Sequence, residues 1–193
     1  FCSFEVLLVD NASQDSTLAV VEREQGAFAA RNISLQVLPQ TVNFGFAGGN
    51  RLGVEVAAGE MLVLLNPDTE AAEEWLQTLV EAAAADASVG IAASKLLVYD
   101  SGRIDSAGDG CMTSGRGFKR GEGQEASFYA RQEYVFGACG GAMLIKKAVI
   151  EDIGFLDERF FLIYEDVDFC FRSRLAGWKT LFVPGAIVYH KVR

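Results

Sequence analysis

Positive charge, histidine and paired cysteines are all scarce in this sequence, and each scarcity excludes something. The 193 residues carry 17 Lys and Arg against 26 Asp and Glu, a formal charge of −9 with a pI of about 4.7. Nucleic-acid binding draws its affinity from clustered basic residues, so no nucleic-acid partner is expected. A phosphorylated ligand would need positive charge from elsewhere, and a divalent cation held by carboxylates is the natural supplier. The four cysteines, Cys2, Cys111, Cys139 and Cys170, form neither a CxxC pair nor a dense framework. They read as reduced thiols of a cytoplasmic protein, two of them in the core. No apolar run nears the roughly 18 residues that span a bilayer, the longest strongly aliphatic stretch being Met61 to Leu65. No signal peptide is visible, and the chain opens on Phe1-Cys2-Ser3-Phe4 without Met, as an excised domain would.

What is present suits one globular domain over residues 1–193. Half of the residues are hydrophobic and 22% are charged, which excludes intrinsic disorder. The first half alternates strand and helix patterns. Phe4 to Val9 is a short strand ending in Asp10-Asn11-Ala12-Ser13, where Ser13 or Asp15 can cap a helix running to about Gln25. Ile33 to Leu38 is a second strand. A glycine-rich turn, Asn43 to Asn50, leads into a helix through Leu52 and Val56, and Met61 to Leu65 reads as a strand buried on both faces of a parallel sheet. From Thr69 to about Ala85, Ala72, Trp75, Leu76, Leu79, Val80 and Ala83 trace an amphipathic helix with Thr69 as its cap. Such an α/β alternation places ligands beyond the carboxyl ends of the strands. Residues Asp100 to Gln132 show little periodicity and read as a long, partly mobile excursion. Order returns at Tyr134 to Phe136, at Ala142 to Ile145, in a short helix to Ile153, and in two closing strands near Thr180 to Val183 and Ala186 to Tyr189.

Four constellations and one lone residue can carry chemistry. Asp10-Asn11 ends the opening strand, either as an ordinary turn and cap or as hydrogen-bonding partners of a base or ribose. The loop Gly45 to Gly49 would let the backbone approach a phosphate at a helix N-terminus, although Ala47 breaks the GxGxxG fingerprint. Asp68, after Asn66-Pro67, either caps the following helix or holds Mg²⁺ or Mn²⁺ against a diphosphate. In Glu165-Asp166-x-Asp168, Asp168 pairs with Arg172 at helical spacing. The apolar run Phe160 to Tyr164 before Glu165 and Asp166 is expected to raise their pKa values, the tuning that a general base needs. His190, the single histidine, is either structural or a metal ligand at the end of an apolar strand.

Taken together these motifs resemble the family 2 glycosyltransferases of the GT-A fold, in their rhamnosyltransferase-like branch. The matching residues are Val9-Asp10-Asn11-Ala12-Ser13, Asn43-x-Gly45-Phe46-Ala47-Gly48-Gly49-Asn50 and Leu65-Asn66-Pro67-Asp68, then Ile104-Asp105-Ser106-Ala107-Gly108 and Gly137-Ala138. They continue with Gly154-Phe155-Leu156-Asp157-Glu158-x-Phe160-Phe161, Tyr164-Glu165-Asp166-x-Asp168, Gly177-Trp178 and His190. The resemblance implies a Rossmann-like α/β fold with a mixed, mostly parallel sheet flanked by helices. It implies that Asp10, Asn11, Asn43, Gly45, Gly48, Gly49, Asn50 and Asp68 bind a nucleotide-sugar donor. Asp68 and His190 would hold Mg²⁺ or Mn²⁺, Asp166 would be the catalytic base of an inverting displacement, and Glu165 would aid acceptor binding. The implied acceptor is a saccharide or lipid-linked saccharide in cell-surface polysaccharide synthesis. The implied location is the cytoplasm, with any peripheral contact to the inner membrane face made by regions outside this chain.

Two departures stand out. Asn66 replaces the first carboxylate of an Asp-x-Asp metal motif, and the strand that precedes the Asp10 strand in relatives is missing, so the 193 residues alone are expected to bind donor poorly. Competing readings are a non-catalytic nucleotide-sugar-binding relative and a dinucleotide-dependent oxidoreductase, the latter opposed by the glycine spacing.

Overall fold

The computed structural model describes residues 4–191; Cys2 lies outside them. The chain divides into two compact units, one of residues up to Gly59 together with Leu156–Glu165, the other of Glu60–Phe155 and Asp166 onward.

In the first unit the aliphatic run before Asp10 forms β1 (Glu5–Asp10), and α1 (Thr17–Ala29) carries the chain across to β2 (Ser34–Pro39). The two strands are parallel, with Glu5 opposite Ser34 and Asp10 opposite Pro39, and a parallel pair needs such a crossover. Asp15, rather than Ser13, meets the start of α1, its carboxylate accepting the amide and hydroxyl of Thr17. The expected glycine turn is instead the first part of α2 (Gly45–Val56), whose buried side is made of Gly45, Ala47, Gly48, Gly49 and Gly53. Small residues on that side bring the helix backbone close to its neighbours. A Cβ at Gly45, which has φ of +72°, would stand 2.3 Å from the Phe161 carbonyl oxygen, the same oxygen that accepts the Phe46 amide. Only glycine tolerates that conformation and that contact together.

The second unit is built on a mixed sheet. Its elements are β3 (Met61–Leu65), β4 (Thr69–Ala71), α3 (Trp75–Ala84), β5 (Val89–Val98), β6 (Ile104–Ser106), β7 (Asp109–Cys111), β8 (Gly117–Lys119), β9 (Glu133–Val135), β10 (Ala142–Lys146), α4 (Lys147–Ile153), α5 (Glu165–Leu175) and β11 (Lys179–His190). The order is β3-β10-β5-β11-β4, with β6 on β5 and β9 on β11. β5 and β11 run parallel, and the remaining pairs in this sheet are antiparallel. The doubly buried strand is β5, buried from Val89 through Leu97, whereas β3 pairs antiparallel with β10 at the end of the order and buries only alternate residues. Gly90, Ser94 and Lys95 interrupt the apolar character of β5, so hydrophobicity alone favours the uninterrupted Met61–Leu65 run for the centre.

α3 lays Trp75, Leu79 and Ala83 on Val89, Ala92, Leu96, Leu144, Leu181, Val183 and Val188, each large aliphatic burial contributing roughly 1.5–3 kcal/mol. The Trp75 indole N–H donates to Ser94 Oγ at 2.8 Å, which satisfies the one polar group that this ring buries. The helix expected from Thr69 starts only at Trp75. Thr69–Ala71 are drawn into β4 by antiparallel pairing with Val188–His190, so Glu70, Glu73 and Glu74 precede the helix.

The stretch expected to be an irregular excursion is ordered. It supplies β6, the β7–β8 hairpin and a 3₁₀ turn at Ala126–Phe128, and residues 104–110 are all buried. Three-residue strands are too short to show a period. The two expected closing strands form one, β11, interrupted by an irregularity: Val183 faces Ser94 and Ile187 faces the next residue, Lys95. Among the described residues no helix is long and apolar enough to cross a membrane.

Candidate functional site

Three clusters gather the predicted residues, one in the first unit and two in the second. In the first unit Asp10 is buried at the end of β1 and accepts the Ser13 amide at 3.1 Å. Asn11 ties this end to the start of α2. Its Nδ2 donates to Asn43 Oδ1 and to the Gly45 carbonyl, both at 2.9 Å, and its Oδ1 accepts the Phe44 amide at 2.9 Å. Asn43 Oδ1 also accepts the Gly45 amide at 2.8 Å, one of the amides that a helix start leaves without an intrahelical partner. Asn50 Nδ2 donates to the Phe46 carbonyl within the helix. A Cβ at Gly48 would lie 2.9 Å from Phe44 Cβ, and one at Gly49 would lie 3.1 Å from Asn11 Nδ2. These glycines therefore serve chain packing, a reason for their presence beyond the phosphate approach expected of them.

The second cluster surrounds His190. Pairing of β4 with β11 sets Thr69 opposite His190, and the Lys191 amide donates to the Asp68 carbonyl at 2.8 Å. The Asp68 carboxylate and the imidazole thereby meet, Nε2 lying 3.5 Å from Oδ2. The other ring nitrogen, Nδ1, is 2.8 Å from Asp105 Oδ2. Asp105, on β6, is almost fully buried at 3% exposure, and its Oδ1 accepts from Lys119 Nζ at 2.6 Å. Burial works against the Lys119 charge, but its hydrogen bond and ion pair with Asp105 outweigh burial, and its pKa is raised. A carboxylate and a neutral imidazole with ligand atoms this close suit Mn²⁺ or Mg²⁺, with positions left for phosphate oxygens and water. Asn66 sits at the β3 end with its amide donating to the Gly141 carbonyl at 2.8 Å.

The third cluster is built where the 137–141 turn meets α5. Gly137 permits the approach, since a Cβ there would stand 2.9 Å from Cys170 Cβ. Asp166 Oδ2 accepts the Gly140 amide at 2.9 Å, and Oδ1 accepts the Val167 amide. Beside it stands Asp109, held by a backbone bridge to Gly137 and by a 2.7 Å hydrogen bond from Ser106 Oγ. Asp109, Cys139 and Asp166 bring their side-chain ligand atoms within 4.8 Å of one another. Burial, aided by the charges of Asp109 and Asp166, pushes the Cys139 thiol up to about 12. Without a cation the cluster is thus two carboxylates beside a protonated thiol. Burial first, then the charges of Asp166 and Asp105, push Asp109 up to about 6 against the opposing Ser106 hydrogen bond and Lys119 charge.

Glu165 opens α5 and is buried. The apolar run before it does not supply the desolvation expected of it, because Phe160, Phe161, Leu162, Ile163 and Tyr164 are 36–66% exposed. Ile163 and Tyr164 take φ values of 72° and 76°, a sparsely populated region for such side chains. The expected ion pair of Arg172 with Asp168 is present at 2.8 Å, and the same guanidinium donates to the carbonyls of Ile153 and Phe155. Asp105 and Asp109 were given no role by sequence reading, and Lys119 was read only among the basic residues of the 100–132 stretch that either meet an anionic acceptor or are solvated. The Ile104–Gly108 motif was the available signal for the first.

Comparison with known proteins gives a consistent result. The sequence model of the family described as glycosyl transferase family 2 matches residues 1–154. An uncharacterized protein, y4gI, of Sinorhizobium fredii is 31% identical over 97% of this chain and 21% of its own length. The N-acetylglucosaminyl-diphospho-decaprenol L-rhamnosyltransferase of Mycobacterium tuberculosis is 28% identical over 96% of this chain and 66% of its own. The chain thus spans from about a fifth to about two thirds of the length of these relatives. Among solved structures, GalNAc-T7 with UDP, GalNAc and Mn²⁺ superposes with a TM-score of 0.76 at 19% identity, over 98% of this chain and 38% of that one. That likeness shows the GT-A fold.

Proposed function

The chain belongs to glycosyl transferase family 2, and from that premise we propose that it is the catalytic part of a metal-dependent, inverting glycosyltransferase of glycan biosynthesis. The donor is a nucleoside-diphosphate sugar, with rhamnose the favoured sugar and a lipid-linked saccharide the favoured acceptor. Both choices follow the similarity to the mycobacterial rhamnosyltransferase. The observation that carries the reading is the meeting of Asp68 with His190, Oδ2 to Nε2 at 3.5 Å, in a fold whose solved relative binds UDP and Mn²⁺.

Asp68 and His190 would hold the cation, which when bound supplies positive charge to the departing diphosphate. In the first unit Asp10, Asn11 and the start of α2 would bind the nucleoside. Asp166 accepts two amide hydrogen bonds, from Gly140 and Val167, which fix its carboxylate while leaving lone pairs to take the proton of an acceptor hydroxyl. That proton moves as the oxygen attacks the anomeric carbon, so configuration inverts in one displacement.

The test uses the full-length protein with Mn²⁺ or Mg²⁺ and a panel of nucleotide sugars, following nucleoside diphosphate release in the presence of acceptor. Asp166→Asn should lower turnover by about 10²–10⁴-fold. Equal turnover by the wild type and Asp166→Asn would remove the proposed base.

A further inference from the structure

His190 is useful to a cation only if Nε2 presents a lone pair toward Asp68, and the ring has two ways to distribute its single proton. An ionised carboxylate accepts hydrogen bonds and donates none. Asp105 Oδ2 stands 2.8 Å from Nδ1, within hydrogen-bond reach, whereas Asp68 Oδ2 stands 3.5 Å from Nε2, so the closer carboxylate takes the ring proton on Nδ1 and Nε2 is the nitrogen left for a cation. Asp105 is 3% exposed and has its second oxygen occupied at 2.6 Å by Lys119 Nζ. Its orientation is thus fixed from the side away from the ring. β6 and β11 lie along opposite edges of β5, with Leu97 paired both to Ile104 and to Tyr189. The Asp105–His190 contact therefore spans β6, β5 and β11 of one sheet, with Lys119 joining it from the β7–β8 hairpin.

We propose that Asp105, clamped by Lys119, is the positioning residue of the metal site: it fixes the tautomer and angle of the His190 ring. This rests on the metal assignment made above and adds residues to which the resemblance assigned no part. A buried carboxylate behind a metal-binding imidazole is a recurring second layer, and its loss typically weakens metal binding about 10- to 100-fold.

Two measurements on the full-length protein test it, neither needing donor or turnover. Nitrogen-15 NMR of the metal-free wild type should show the His190 proton on Nδ1. Titration with Mn²⁺ alone, followed by electron paramagnetic resonance, should show Asp105→Asn binding about tenfold or more weakly than wild type, alongside His190→Ala as control. A proton on Nε2 with none on Nδ1 in the wild type overturns the proposal. So does wild-type Mn²⁺ affinity in Asp105→Asn when His190→Ala is weakened. Unchanged affinity in His190→Ala overturns the metal assignment instead, while the tautomer still judges the hold of Asp105 on the ring. If Asp105→Asn does not fold, the wild-type tautomer decides alone.

Discussion

A buried carboxylate without a full counter-charge is the most pH-sensitive kind of residue in a small protein, and Asp109 is of that kind. Its folded-state pKa is pushed up to about 6, from an ordinary 3.8. A raised carboxyl pKa means that the folded state holds the proton more tightly than the unfolded chain. The resulting stability is present below about pH 4 and is lost as pH rises through 6. Two pH units correspond to about 3 kcal/mol. Asp109→Asn keeps an oxygen for Ser106 and removes the titration. It should be more stable than the wild type at pH 7.5, by up to about 3 kcal/mol, with the difference shrinking toward pH 4.5. Urea unfolding at several pH values checks this, and a difference independent of pH would refute it. Asp10, Asn11, Asp68, Asp166 and His190 could be singled out from sequence because each follows a strand or stands in a recognisable motif. Asp105 and Asp109 could not be assigned work, since a buried carboxylate is defined by partners far away in the chain: His190 for the first and Asp166 for the second.

At the scale of elements, α2 depends on glycine at its first residue. Gly45→Ala would put a Cβ 2.3 Å from the Phe161 carbonyl at φ of +72°, and the left-handed conformation alone costs about 1–2 kcal/mol. The variant should be destabilised by about 2 kcal/mol or more, as read by chemical denaturation. Within α3, Trp75→Phe should lose about 1–3 kcal/mol, because Ser94 Oγ is left buried without its donor. Elements with several turns or a long apolar run were legible in the sequence: β1, β2, α4, β10 and the apolar stripe of α3. Those set by pairing were not. Thr69–Ala71 has a credible helix cap in Thr69 and an early carboxylate in Glu70, yet strand pairing with Val188–His190 decides its conformation. Likewise the strands of residues 104–119 are ordered by partners rather than by any periodicity of their own.

For the whole molecule, the two units differ in how much they bury. α1 has no buried side chain, and Val6, Leu7, Leu8 and Val9 of β1 are only half-buried. In the second unit, Val89, Ile91, Leu96, Leu144, Ile145, Phe182 and Val188 are almost fully removed from solvent. Opening energies follow such burial. Native-state hydrogen exchange should therefore find β1, α1 and β2 exchanging well before β5, β10 and β11, and simultaneous exchange of both sets would contradict this. The fold class and family were readable because their motifs keep order along the chain. The division into two units was not, because it depends on where burial accumulates in three dimensions.

The irregularity in β11 bears on inheritance. Three residues, Pro184 to Ala186, pass while β5 advances not at all between Ser94 and Lys95. Sides alternate along a regular strand, but here four steps of β11 match one step of β5, so the irregularity itself absorbs the mismatch and pairing resumes at Ile187. Descendants of this gene should therefore tolerate changes of length between Val183 and Ile187, whereas a residue gained or lost between Ile187 and His190 would turn the imidazole away from Asp68 and Asp105.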